Sequence, residues 1–244
     1  MAIAYHTDPG SKRRDNEDYV GAFTNQAGRT MVIVADGVTS NEGGEVASAM
    51  TVEHFGHAWQ NSSMETIVPT ITWIKEQAKI ENKAIIDAGQ RFQELSQMAT
   101  TVVLAILFDE KIVVANLGDS KAFLLHRDQL IQLSNDHVLK NEMVRRGVMA
   151  TDDAKKIAHA NSVTRFLGVD KYADIEISQH KFVDDDILFL TSDGITKVLS
   201  DDTIKRIMRY EETLEIRVFD MIQQANIKGA PDNVTAVLVT HEKD

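Results

Sequence analysis

Residues 31–37 read MVIVADG, five consecutive apolar side chains followed by Asp-Gly. A strand with one wet face alternates apolar and polar positions. A run that is apolar at every position therefore marks a strand covered on both faces. Val and Ile favour strand over helix. Gly37 lets the backbone turn sharply or approach a ligand closely. Asp36 thus stands at the lip of a buried strand, its carboxylate held by rigid structure. Read alone, it is also an ordinary turn residue, because Asp-Gly is a common turn pair.

The pattern recurs. Residues 187–194, ILFLTSDG, end an apolar run at Asp193–Gly194, and residues 113–119, VVANLGD, reach Gly118–Asp119. In GAPDNVTAVLV, residues 229–239, Asp232 stands just before an apolar strand. Turn preference accounts for any one of these aspartates. Brought together, however, they repel, and either a proton or a cation must sit among them. Carboxylate and backbone oxygens suit hard ions such as magnesium or manganese. Two such ions about 4 Å apart acidify a bridging water and clamp phosphoryl oxygens. The stretch GSKRRDNEDYV, residues 10–20, adds Arg13 and Arg14, forked donors suited to phosphate, and the carboxylates Glu17 and Asp18. A solvated charge run is the competing reading of that stretch.

Strands fit residues 18–24, 30–35, 101–108, 112–116, 122–126, 130–132, 175–180, 187–191 and 235–240. Helical spacing fits 44–60, a long stretch 64–98 broken near Pro69, and then 139–146, 152–158, 201–209 and 214–225. Residues 108–134 read as successive hairpins turning at Asp109–Glu110, Gly118–Asp119 and Arg127–Asp128. Strands grouped in meanders argue for antiparallel sheets with helices laid outside, an α+β arrangement. The three prolines lie in no linker, and nothing in the composition breaks the chain, so residues 1–244 read as one domain. The net charge of −11 disfavours nucleic acid and anionic lipid as partners. Absence of cysteine excludes thiolate nucleophiles and cysteine-ligated zinc. The N-terminus has no apolar core of signal length and no run approaches that of a membrane helix, so the expected setting is cytoplasmic, with no membrane contact and a monomer by default.

The ordered set GSKRRDNEDY, VIVADG, GGEVAS, ATTVV, VANLGDSKAFLL, LSNDH, VTRFLG, DILFLTSDG and PDNVTAVLV spans residues 10–239. It resembles the metal-dependent protein phosphatases of type 2C, and most closely their compact bacterial serine/threonine members. The resemblance implies a four-layer α-β-β-α sandwich of two antiparallel sheets flanked by helices. It also implies Mn2+ or Mg2+ as cofactor, with two core ions and the third ion seen in bacterial members. By that resemblance Asp36 bridges both core ions, the Gly37 carbonyl binds the first, and Asp193 and Asp232 bind the second. Asp119 and Asp193 would share the third. Arg13 would hold the substrate phosphate, Glu17 and Asp18 would hold metal-bound waters, and Asn233 would support the neighbouring aspartate. Arg13, Asp36, Asp193 and Asp232 are the implied catalytic set. The implied reaction is hydrolysis of phosphoserine and phosphothreonine in proteins by a metal-activated water. The implied partners are phosphorylated proteins, including a cognate serine/threonine kinase that the enzyme opposes.

The chain departs from the family after Asp36–Gly37. Many bacterial relatives read Asp-Gly-Met-Gly-Gly-His there, whereas this chain reads Asp36-Gly37-Val38-Thr39-Ser40-Asn41. No histidine lies in residues 38–53, so no histidine general acid is available from this loop. That departure motivates a rival reading, a catalytically weak member acting as a binding or regulatory module. A phosphatase of small phosphoesters is the other alternative. His137 reads as structural. Residues 137–168 match the mobile flap of bacterial members, where Lys140, Arg145 and Arg146 are either receivers of an acidic phospho-substrate or a solvated helix face.

Overall fold

The computed structural model describes residues 1–38, 43–169 and 171–241. Ten strands and seven helices lie among them. The first half runs β1 (Ala2–Asp8), β2 (Asp18–Thr24), β3 (Thr30–Asp36), α1 (Gly44–Gln60), α2 (Ile67–Arg91), β4 (Val102–Leu107) and β5 (Lys111–Leu117). The second half runs β6 (Lys121–His126), β7 (Gln129–Gln132), α3 (Leu139–Arg145), α4 (Thr151–Ala154), β8 (Glu176–Lys181), β9 (Ile187–Thr191), α5 (Asp193–Thr196), α6 (Asp201–Met208), α7 (Leu214–Ile227) and β10 (Val234–Thr240). Two five-stranded sheets form, in the orders β1-β10-β9-β6-β7 and β2-β3-β4-β5-β8. Every pairing is antiparallel.

The fully apolar runs have two covered faces, as their composition requires. Along β3, Met31, Ile33 and Ala35 join a cluster with α1 and α2, while Val32 and Val34 join the layer between the sheets. Along β9, Ile187 and Phe189 pack toward α5, α6 and α7, while Leu188 and Leu190 face the same inter-sheet layer. β10 repeats this, with Ala236 and Leu238 on one side and Val237 and Val239 on the other. Three apolar layers are the result, and the four-layer α-β-β-α order follows from them. Trp59 anchors the outer layer on α1. Its ring is buried 5.0 Å from Trp73, and its indole N–H donates to the Arg29 carbonyl at 3.0 Å.

Two expectations are corrected, and one strand is added. The long helix covers only Ile67–Arg91, with Pro69 in its first turn, where a missing N–H costs nothing. Helix α4 stops at Ala154 instead of reaching residue 158, because Ala154 is its one buried side chain and no apolar face continues. Strand β1 was not expected. It is an edge strand of mixed polarity whose existence depends on pairing with β10.

Register brings the acidic strand ends together. In the β2–β3 pair Asp18 lies opposite Asp36. Close backbone contacts then fix the ends of neighbouring strands. A Cβ on Gly194 would overlap the Asn233 carbonyl, and one on Gly10, whose φ is +82°, would overlap the Asp232 carbonyl. Gly28 has φ +76° with open space around it. Gly194→Ala should therefore cost about 3 kcal/mol or more, because backbone is in the way. Gly28→Ala should cost only the left-handed backbone penalty of about 1–2 kcal/mol. Thermal melts of the two variants check this; equal losses would contradict it.

Candidate active site

The acidic strand ends converge on a cleft of about 550 Å³ lined by Arg13, Asp36, Gly37, Asp119, Asp193 and Asp232, with Val38, Thr101, Ser162, Val163 and Phe166 as the rest of its wall. Two other cavities are larger, about 750 and 740 Å³. Chemistry, not size, singles out this one.

Asp36 closes β3, and its backbone is held on both sides. Its N–H donates to Thr101 Oγ1 at 3.2 Å, and its carbonyl accepts from the Thr101 N–H at 2.8 Å and Thr100 Oγ1 at 2.9 Å. The Gly37 N–H donates to the Glu17 carbonyl at 3.0 Å. Asp119 sits in the tight turn from β5 to β6, where Gly118 adopts φ +116°. Asp193 opens the short helix α5 directly after β9. Asp232 immediately precedes Asn233 and β10, and its Oδ1 accepts the Asn233 N–H at 3.2 Å.

Two cations of the chain meet these carboxylates. Arg13 Nε lies 3.2 Å from Asp232 Oδ1 and donates to the Pro231 carbonyl at 3.3 Å. Lys197 Nζ lies 2.6 Å from Asp193 Oδ2 and 3.0 Å from Asp232 Oδ2. Burial pulls Lys197 down, but the two carboxylates outweigh it and hold the ammonium above the usual lysine value. Sequence reading missed Lys197. Its spacing from Asp193, one helical turn on the same face, was the available signal.

Asp18 does not line the cleft. Its Oδ2 accepts from Ser192 Oγ and Thr235 Oγ1, each at 2.6 Å, and so ties β2 to the ends of β9 and β10 across the sheets. Asn233 is a clamp. Its Oδ1 accepts from the Glu17 N–H at 2.9 Å, and its Nδ2 donates to the carbonyls of Pro9 at 2.9 Å and Asp15 at 2.8 Å. These bonds pin the loop that carries Arg13. Glu17 contributes its backbone to both this clamp and the Gly37 contact.

The electrostatics ask for positive charge. Burial, then neighbouring Asp193 and Asp232, lift Asp18 to about 7 against the pull of its two hydroxyl partners. Burial and Asp193 likewise lift Asp119 to about 7, opposed by Lys121 and Lys197. Burial and four neighbouring aspartates push Asp36 well above the usual carboxylate range. Oδ1 of Asp18 and Oδ1 of Asp193 are buried with no hydrogen-bond partner. An acceptor-only donor set with orphaned oxygens fits a hard divalent cation. Among the described residues, no three acidic or imidazole side chains are already closed around one point. The two cationic side chains stand among the carboxylates instead.

The 137–168 segment walls one side of the cleft through Ser162, Val163 and Phe166. Both its ends are stitched beside the acidic turns. The Gly118 N–H donates to His137 Nδ1 at 3.1 Å, and Leu167 exchanges backbone bonds with Thr100. His137 is buried, and its Nε2 reaches Glu176 at 3.1 Å, so its role is structural. Arg145 and Arg146 pair with Glu142, which also holds Arg165 at 2.7 Å. Of the unusual loop, Val38 lines the cleft, while residues 39–41 lie outside the described residues.

The sequence pattern of protein phosphatase 2C matches residues 10–230. The chain belongs to the protein phosphatase 2C family. The serine/threonine phosphatase stp of Listeria monocytogenes serovar 1/2a is 34% identical over 243 residues, 99% of this chain and 96% of the relative. A putative protein phosphatase 2C-type protein of Streptococcus pyogenes serotype M6 is 32% identical over 244 residues, 100% of this chain and 99% of the relative. The solved serine/threonine phosphatase of S. agalactiae superposes with TM-score 0.92 at 30% identity, covering 99% of each chain. The phosphatase 2C sandwich expected from sequence is thus borne out.

The raised carboxylates make a pH prediction. Folded, Asp18 and Asp119 keep their protons up to about 7, whereas the unfolded chain releases them near the ordinary 3.8. Across that window the folded state binds more protons, so ion-free stability falls as pH rises. In chelator, the melting temperature of the wild type should drop between those two pH values more steeply than that of Asp18→Asn. Parallel profiles would contradict the assignment.

Proposed function

We propose that the chain is a metal-dependent serine/threonine protein phosphatase that hydrolyses phosphoserine and phosphothreonine. The observation that carries this reading is the convergence of Asp36, Asp119, Asp193 and Asp232 from both sheets on one open cleft, with Arg13 at its edge. Family membership and the stp-like relatives support the substrate class.

Asp36, the Gly37 carbonyl, Asp193 and Asp232 would hold two divalent ions, manganese or magnesium, and Asp119 with Asp193 would hold a third. Bound ions of this kind lower the pKa of coordinated water and shield phosphoryl oxygens. The chain's own residues do the rest. Arg13 presents a forked donor to the phosphate, and the Asn233 clamp fixes the loop from which it reaches. Strand-end backbone bonds hold Asp36 without reorganisation during the reaction. Asp18 keeps the ends of β2, β9 and β10 in one place through Ser192 and Thr235. The flap residues Val163 and Phe166 offer an apolar wall beside the phosphate position, suited to the methylene or methyl of a phosphorylated side chain.

Among the described residues no histidine lines the cleft, which agrees with the absence of a loop histidine in the sequence. No imidazole among the described residues would therefore protonate the leaving oxygen in this reading. No helix among the described residues is long and apolar enough to cross a membrane. The kinase partner, the monomeric state and the cytoplasmic setting remain part of the proposal, as does the single domain over 1–244.

Purified protein should release phosphate from a phosphothreonine peptide with Mn2+, and chelator should abolish the release. Asp193→Ala should lower kcat by on the order of 10²–10³-fold or more. Arg13→Ala should act mainly on phosphate binding and raise KM by roughly tenfold. A folded wild type with no release at saturating Mn2+ would overturn the reading in favour of a binding module. Release from a small phosphoester alone would move the substrate class.

A further inference from the structure

Lys197 contacts two proposed ligands of the same ion. Its Nζ is 2.6 Å from Asp193 Oδ2 and 3.0 Å from Asp232 Oδ2, and it is the only lysine among the described residues paired with both. Arg13 pairs with the other oxygen of Asp232 and not with Asp193. The ammonium thus occupies the point where the carboxylates from the start of α5 and the start of β10 come nearest to a shared cation. Its backbone N–H donates to the Asp193 carbonyl at 2.9 Å, so the side chain returns over the turn that carries its partner. With 40% of the side chain exposed, it has an open path to solvent.

We infer that Lys197 is a tethered counterion that holds Asp193 and Asp232 together when no divalent ion is bound, and that an incoming ion must displace it. The inference rests on reading Asp193 and Asp232 as ligands of one ion. A monovalent ammonium and a divalent ion cannot both sit between the same two oxygens, since like charges at that distance repel. Ion binding is therefore an exchange: one ammonium leaves for solvent as one ion enters. The exchange lowers the apparent affinity by the strength of the contact it breaks. It also keeps the carboxylates supplied with a partner in the ion-free chain, whose cluster is otherwise self-repelling.

Calorimetric titration of ion-free protein with Mn2+ tests this without any activity measurement. Four proteins are compared: wild type, Lys197→Met, Lys197→Arg and Asp232→Asn. Lys197→Met keeps an unbranched side chain one atom shorter and removes its charge. It should bind Mn2+ about tenfold more tightly at the affected site and melt about 2–4 °C lower when ion-free. Lys197→Arg should stay close to the wild type in both. Asp232→Asn should lose the site. Unchanged or weaker binding by Lys197→Met, with the site still lost in Asp232→Asn, would overturn the counterion while leaving the ligand reading intact. Binding unchanged in Asp232→Asn would overturn the ligand reading and the counterion with it. Lys197→Gln, which retains a hydrogen-bonding amide, provides the same comparison if Lys197→Met does not fold.

Discussion

Mutual repulsion among buried carboxylates is the constraint on which this structure turns. Asp18, Asp36 and Asp119 are each driven toward the protonated form, first by burial and then by neighbouring aspartates, Asp193 among them in every case. Such a cluster survives only where the surrounding framework is stiff enough to hold it and where positive charge can reach it. The framework is the inter-sheet layer of Val32, Val34, Val103, Leu188, Leu190, Val237 and Val239, whose strands end at the cluster. A large part of the apolar core thus serves as a platform that delivers oxygens to one edge of the sandwich.

The polar groups around the cluster divide into two kinds. Ser192, Thr235, Thr100, Thr101 and Asn233 bind the strand ends and the N-terminal loop to one another, fixing position without changing net charge. Arg13 and Lys197 bring charge from partly exposed positions at the rim, each ion-paired to the carboxylates. Rigid positioning and charge are separate properties, carried by separate residues. In the proposed reading, a divalent ion entering this site would meet oxygens already placed and cations that yield to it.

Much of this was legible in the residues. The fully apolar runs in β3 and β9 fixed two covered faces, and their Asp-Gly endings located Asp36 and Asp193. Asp119 and Asp232 followed from the same pattern at turns. What escaped were features set by partners distant in sequence. Strand β1 has half-exposed, mixed residues and is defined by β10. The four-residue helix α5 is too short to show a period, and with it went the pairing of Lys197. Asp18 appeared in the sequence as part of a charge run, yet the fold buries it against hydroxyls more than 170 residues away.

Whether these strand-end carboxylates form a divalent-ion centre can be seen directly. Anomalous scattering from crystals grown with Mn2+, collected on either side of the manganese edge, tests it most directly. Strong peaks are expected within coordinating distance of Asp36, Asp193 and Asp232. Peaks confined to other acidic surfaces, with Lys197 still seated between Asp193 and Asp232 at saturating Mn2+, would contradict it.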